Sequence, residues 1–102
     1  MESRLRLQAE LEKILGSKNV YFQPPSSFQM LYPCFRYELS DIDKKSADNR
    51  VYMKKKAYSV TYITYDPDDD LSDELFDAFQ MIRFDRPYVA DNLHHFVYKI
   101  YY

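Results

Sequence analysis

Glycine is almost absent. Gly16 is the only one in 102 residues. A loop that cradles phosphates with successive backbone N–H groups needs several glycines close together, so that class of nucleotide site is excluded. Tryptophan is missing altogether, and Cys34 is the single cysteine. One cysteine cannot form an internal disulfide, and it fits a reducing compartment. No apolar run approaches the roughly 20 residues that a membrane-spanning helix requires. Met1 to Leu15 is charged throughout, unlike a secretory signal peptide. Neither sign of charge dominates: 14 Lys and Arg stand against 16 Asp and Glu, a net charge of −2. There is thus no global pull toward nucleic acid or a membrane surface. These absences point to a soluble, cytosolic chain.

What is abundant is aromatic. Eleven Tyr and seven Phe bring the aromatic share to 18%, within a hydrophobic share of 46%. That much apolar residue excludes intrinsic disorder, and the length suits one domain over residues 1–102. Tyrosine can turn its ring to a core and its hydroxyl to a wet boundary. So many of them suit a β-rich domain with large wet interfaces.

The C-terminal run from Phe84 to Tyr102 reads as a β-hairpin around which the rest is arranged. Asp91-Asn92 lies between two β-rich arms, and both residues tolerate the positive φ of a tight turn. Phe96, Tyr98, Ile100 and Tyr102 alternate with His95, Val97, Lys99 and Tyr101, the period of a strand with one buried face. With the chain written to Tyr102, this last strand is expected inside the domain. Pro87 predicts a sheet edge or a bulge in the first arm.

Upstream, Leu7, Leu11, Ile14 and Leu15 form one apolar stripe and predict a helix from Met1 to Leu15, with Gly16 as its left-handed C-cap. Asn19 to Phe22 reads as a short strand, broken by Pro24-Pro25. Tyr32 to Leu39 reads as a strand that Pro33 opens. Ser40 to Arg50 is polar and reads as a protruding hairpin loop. Val51 to Tyr65 resumes the sheet, with Tyr58, Val60 and Tyr62 on one face. A second helix is expected over about Leu71 to Ile82, burying Leu71, Leu75, Ala78, Phe79 and Ile82, with acidic residues at its dipole-favoured start. The expected fold is α+β, in the order α-β-β-β-α-β-β. It is one mostly antiparallel sheet with both helices on one face and a long protruding β-hairpin loop.

Several motifs invite a chemical reading. His94-His95 point to opposite sides of a strand, and no further His or Cys lies near them in sequence, which disfavours zinc. Asp66, Asp68, Asp70 and Asp77 imitate the spacing of a calcium loop, but Leu71 occupies the position that needs glycine. A strand exit followed by a helix start accounts better for that run. No nucleophile motif marks Ser, His and Asp as a catalytic set, and Cys34 reads as core, so neither an enzyme nor a cofactor is expected. Lys54, Lys55 and Lys56, with Lys44, Lys45 and Arg50, make a basic segment. It could touch phosphates or remain a solvated hairpin. The preferred reading sets Lys54 to Lys56 against Asp68, Asp69 and Asp70 of another copy, a heterologous contact of the kind that closes rings.

Two segments carry a resemblance. Tyr32-Pro33-Cys34-Phe35-Arg36-Tyr37, Ser40-Asp41-Ile42-Asp43, Ala47-Asp48-Asn49 and Tyr58-Ser59-Val60-Thr61 make one. Phe84-Asp85-Arg86, Ala90-Asp91-Asn92-Leu93 and Val97-Tyr98 make the other. With the leading helix they resemble the tail terminators of long-tailed bacteriophages, the small tail-completion or head–tail joining proteins. The resemblance implies an α+β virion subunit assembling with itself as a ring, usually a hexamer, at the phage neck. Such a ring caps the tail tube protein, ends elongation and meets a connector or stopper protein of the head. DNA passes through its lumen without specific binding. It further implies no catalytic, cofactor or metal residues, no membrane, and residence in host cytoplasm during assembly. The family's long hairpin loop would correspond to about Ser40 to Lys56, placing Asp41, Asp43, Lys44, Lys45, Asp48, Asn49 and Arg50 against neighbouring virion proteins. A head-closure ring of the same phage class is the alternative, and a small nucleic-acid-binding module the remaining one.

Overall fold

The computed structural model describes residues 2–47 and 50–102. Helix α1 spans Glu2–Leu15. Strands β1 (Val20–Phe22), β2 (Cys34–Ala47) and β3 (Arg50–Thr64) follow, then helix α2 (Ser72–Ala78), β4 (Ile82–Ala90) and β5 (Leu93–Tyr101). This is the expected α+β order. The five strands lie side by side as β1-β2-β3-β5-β4. Only β1 and β2 are parallel; the other three pairings are antiparallel. Strands β3 and β4 therefore run the same way with β5 slotted between them, and α2 makes the crossover.

Each local signal has a visible cause. In α1, Leu7 and Leu11 are fully buried, while Ile14 and Leu15 pack at the core margin. Gly16 takes φ +80°, and its N–H donates to the Glu12 carbonyl at 2.8 Å, closing the helix. In the last hairpin, Ala90 pairs with Leu93, and Asp91 and Asn92 take φ of 54° and 62°. Two consecutive positive φ values match the right-handed twist of the flanking strands. Strand β4 lies at the sheet edge, and its register slips between Phe84 and Arg86, just before Pro87. An edge strand with a bulge tolerates the missing proline donor.

The core lies between the sheet and both helices. Leu7 and Leu11 of α1 and Leu75 and Phe79 of the α2 region share one cluster. Val20, Phe35, Tyr37, Tyr58, Val60, Tyr62, Tyr98 and Ile100 of the sheet complete its buried members. The faces assigned by period two hold along β2, β3 and β5. On the other sheet face Met30 and Tyr32 pack on Cys34, Ile63 and Leu93 at one end, and Thr61 and Val97 are buried nearer the middle.

Two expectations need correction. The second helix ends at Ala78, which is exposed, and Phe79 is already extended, its N–H capping Leu75. Ile82 opens β4 opposite Ile100. Its apolar spacing fits either a helix stripe or a strand face, and pairing with β5 decides in favour of the strand. Ser40 to Arg50 is likewise no open loop. The β2–β3 ladder continues from Asp41↔Ala57 to Ala47↔Arg50, after a bulge where the Ser40 hydroxyl donates to the Ala57 carbonyl at 3.0 Å. Beyond Ile42 and Lys56 this two-stranded ribbon has no further strand beside it among the described residues. The segment shows no apolar alternation for sequence reading to detect. The ribbon still protrudes, and the molecule is 49 Å long against 28 and 23 Å across.

Leu11→Ala is expected to cost about 2–5 kcal/mol, by loss of a buried side chain and the cavity left behind. Leu5→Ala, at a position 56% exposed, should change stability by less than about 0.5 kcal/mol. Urea denaturation of the two variants checks the assignment of the α1 stripe.

Candidate interaction surfaces

Four tyrosines on the alternating strand faces serve the core. Tyr37, Tyr58, Tyr62 and Tyr98 are at most 2% exposed and form the centre of the core. Three of them end in polar anchors at the helix layer. The Tyr37 hydroxyl donates to Gln8 Oε1 at 2.6 Å and accepts from Arg4 at 3.1 Å. Gln8 in turn donates to the Val20 carbonyl at 2.9 Å, tying α1 to β1 as well as β2. The Tyr62 hydroxyl donates to Asp69 Oδ2 at 2.7 Å, and Thr64 Oγ1 donates to the same oxygen at 3.1 Å. The Tyr98 hydroxyl meets Ser72 Oγ in a very short contact and donates to Asp70 Oδ1 at 3.3 Å. Burial pushes the Tyr62 and Tyr98 phenols up, so both remain protonated donors.

These anchors change what the acidic run can do. Asp70 accepts the Ser72 N–H at 2.9 Å and the Ser72 hydroxyl at 2.6 Å, so it caps α2 from one residue before the Leu71 cap position. The Ser72 hydroxyl bond is the main cause that holds the Asp70 carboxyl below its ordinary value. Asp66 accepts the Asp68 N–H at 2.9 Å in a local turn. Asp69 and Asp70 thus each engage one carboxylate oxygen within the chain. Of the three acids proposed for a sister contact, only Asp68 is not tied to a core tyrosine. Asp66, Asp68 and Asp70 are exposed, and Asp73, Glu74 and Asp77 on α2 are exposed as well. Sequence spacing could not separate these roles, because they depend on where the Tyr62 and Tyr98 hydroxyls arrive.

The basic partners sit on the ribbon. Lys54 pairs with Lys44, Lys55 with Asp43, Lys56 with Ile42, Lys45 with Met53, Asp41 with Ala57, and Arg50 with Ala47. Asp48 and Asn49 lie outside the described residues, as do the side chains of residues 41–47 and 50–55. Lys56 is half-buried, and its carbonyl accepts the Tyr102 N–H at 2.9 Å. Lys54 to Lys56 and Asp68 to Asp70 fall beyond opposite ends of the β3–β5 ladder, so a contact between those two groups joins different copies.

The remaining motifs have structural settings. His95 is 9% exposed, its ring stacks on Tyr88 at 4.4 Å, and its Nδ1 lies 3.0 Å from the Leu93 carbonyl. His94 pairs with Val89 and lies on the opposite side of the strand. Among the described residues no three His, Cys, Asp or Glu side chains gather into a possible metal site. Cys34 is fully buried, and burial pushes its thiol up to about 12, far from a reactive thiolate. Two surface hollows, of about 380 and 420 Å³, are lined without any carboxylate, histidine, serine or cysteine. No helix among the described residues is long and apolar enough to cross a membrane.

No protein-family model and no curated protein sequence matches this chain.

His95 provides a pH test. Burial holds its imidazole below the ordinary value of about 6.5. Above that pH the folded and unfolded states are both neutral there, and its contribution to stability is complete. As the pH falls toward the lowered folded value, the unfolded chain takes up the proton first and stability declines. The wild type should therefore lose stability as the pH falls below about 6.5, and His95→Gln should show a shallower decline there. Urea midpoints against pH measure both.

Proposed function

We propose that this protein is a non-enzymatic subunit of a ring at the head–tail junction of a long-tailed bacteriophage. There it caps the tail tube, ends elongation and presents a surface to the neck of the head. The observation that carries this reading is the β2–β3 ribbon. It extends beyond the three other strands and lies in the segment that resembles the family's long hairpin. A ribbon without a neighbouring strand is an arm suited to reach another subunit or an adjoining layer. The sheet edges and the separated charges supply different surfaces on different sides, as a ring subunit needs. The reading concerns shape and association, with no bond made or broken. The ring is taken as a hexamer from the family resemblance, and DNA passes its lumen without specific contacts.

Loss of the gene should leave filled heads beside tails of abnormal length, or tails unjoined to heads, when lysates are viewed by electron microscopy. Normal virions from such a mutant would rule the reading out. A variant with residues 42–56 replaced by a short turn should keep its fold, because the core lies elsewhere. It should fail to restore joined particles.

A further inference from the structure

The helix-free face of the sheet carries an organised set of charges. Directly opposed residues on neighbouring strands share a face. The row Glu38-Ser59-Lys99-Arg83 therefore lies beside the row Arg36-Thr61-Val97-Arg86. Four cations, Arg36, Lys99, Arg83 and Arg86, occupy this surface across β2, β5 and β4. Glu38 and the bulge residue Asp85 are the acids within it. Asp85 pairs with Arg86 at 3.0 Å, and the Arg86 guanidinium lies 5.8 Å from the centre of the Tyr88 ring. Met30 and Tyr32 cover the far end of this face, over Cys34, Ile63 and Leu93, and Thr61 and Val97, in the row between Arg36 and Arg86, are buried as well. Arg83 and Arg86 are exposed.

The complementary surface is on the opposite side of the same molecule. Asp73, Glu74 and Asp77 are exposed on α2 around Phe76, which is itself 44% exposed. Residues 66–77 hold seven carboxylates and no cation. Because α2 packs on the other face of the sheet, no copy can bring its own helix to its own basic face. A half-exposed aromatic within a ring of acids matches a cationic surface that includes a flat Tyr88 ring. It has the anchor-and-rim anatomy of a protein interface.

We propose that α2 of one copy docks on the helix-free sheet face of the next. Asp73, Glu74 and Asp77 then meet Arg36, Arg83, Arg86 and Lys99, with Phe76 as the central anchor. The occupant is a second copy of this chain. The contact is heterologous, so repetition closes a ring or extends a stack. This inference specifies the sister contact of the ring proposed above and rests on that reading.

Charge exchange tests it. The face variant Arg83→Glu/Arg86→Glu and the helix variant Asp73→Lys/Asp77→Lys alter exposed side chains, so both should melt close to wild type. Sedimentation velocity at low salt should show self-association of each variant alone weakened by about tenfold or more. Association of the wild type should weaken as salt rises. Mixing the two variants should restore it, because each altered surface then finds its complement. The unaltered pair is restored in the same mixture. Annular particles that persist in both single variants would overturn the sheet-face contact and leave the ring standing. A wild type that stays monomeric at every concentration and salt overturns the contact as stated. If the virion neck also lacks an annular layer of this protein, the ring reading falls as well. Salt-dependent DNA binding that Arg83→Glu/Arg86→Glu abolishes, with self-association unchanged, would assign the face to nucleic acid and overturn the proposal.

Discussion

The structure depends on tyrosine rings that are buried while their hydroxyls remain bonded. A hydroxyl taken from water without a partner costs about 1–3 kcal/mol in proteins. Tyr37, Tyr62 and Tyr98 avoid that cost by reaching Gln8, Asp69 and the Ser72–Asp70 pair. Each bond crosses from the sheet to the helix layer. They fix α1 over β1 and β2, and they fix the entrance of α2 over β3 and β5. The rings fill the core, and their polar ends determine where the helices lie. No buried side-chain nitrogen or oxygen among the described residues lacks a partner.

This constraint also divides the acidic run. Carboxylates that end the tyrosine bonds are held in place, each with one oxygen engaged by the core's polar anchors. Those on the outer side of α2 are under no such restriction. The exposed surface of α2 is thus a consequence of how its entrance is tied down. The two sides of the sheet differ for a related reason: both helices serve one face, and the other is left with cations on three strands.

The protruding ribbon is the least constrained part of the fold. Its ladder satisfies backbone hydrogen bonds between β2 and β3 without help from the core. A polar sequence is compatible with that arrangement, since the pairing is made by the backbone. The bulge after Leu39 marks where the ribbon leaves the body of the sheet. Leu39 is itself 39% exposed, although it alternates with the buried Phe35 and Tyr37.

By itself the sequence determined the elements whose signals are local. Gly16 ends α1 because only a residue without Cβ adopts positive φ freely, and Asp91-Asn92 makes the turn because both side chains tolerate it. The alternation through Phe96, Tyr98 and Ile100 placed β5 with one face in the core. Tertiary structure alone decided three things. Ile82 joined β4 because Ile100 stood ready to pair, although its spacing suited a helix equally well. The polar stretch after Ser40 became paired ribbon because each strand supplied the other's hydrogen bonds. Asp69 and Asp70 bond to core tyrosines because Tyr62 and Tyr98 deliver their hydroxyls to that point. In each case the deciding partner lies on another element, and residue spacing carries no record of it.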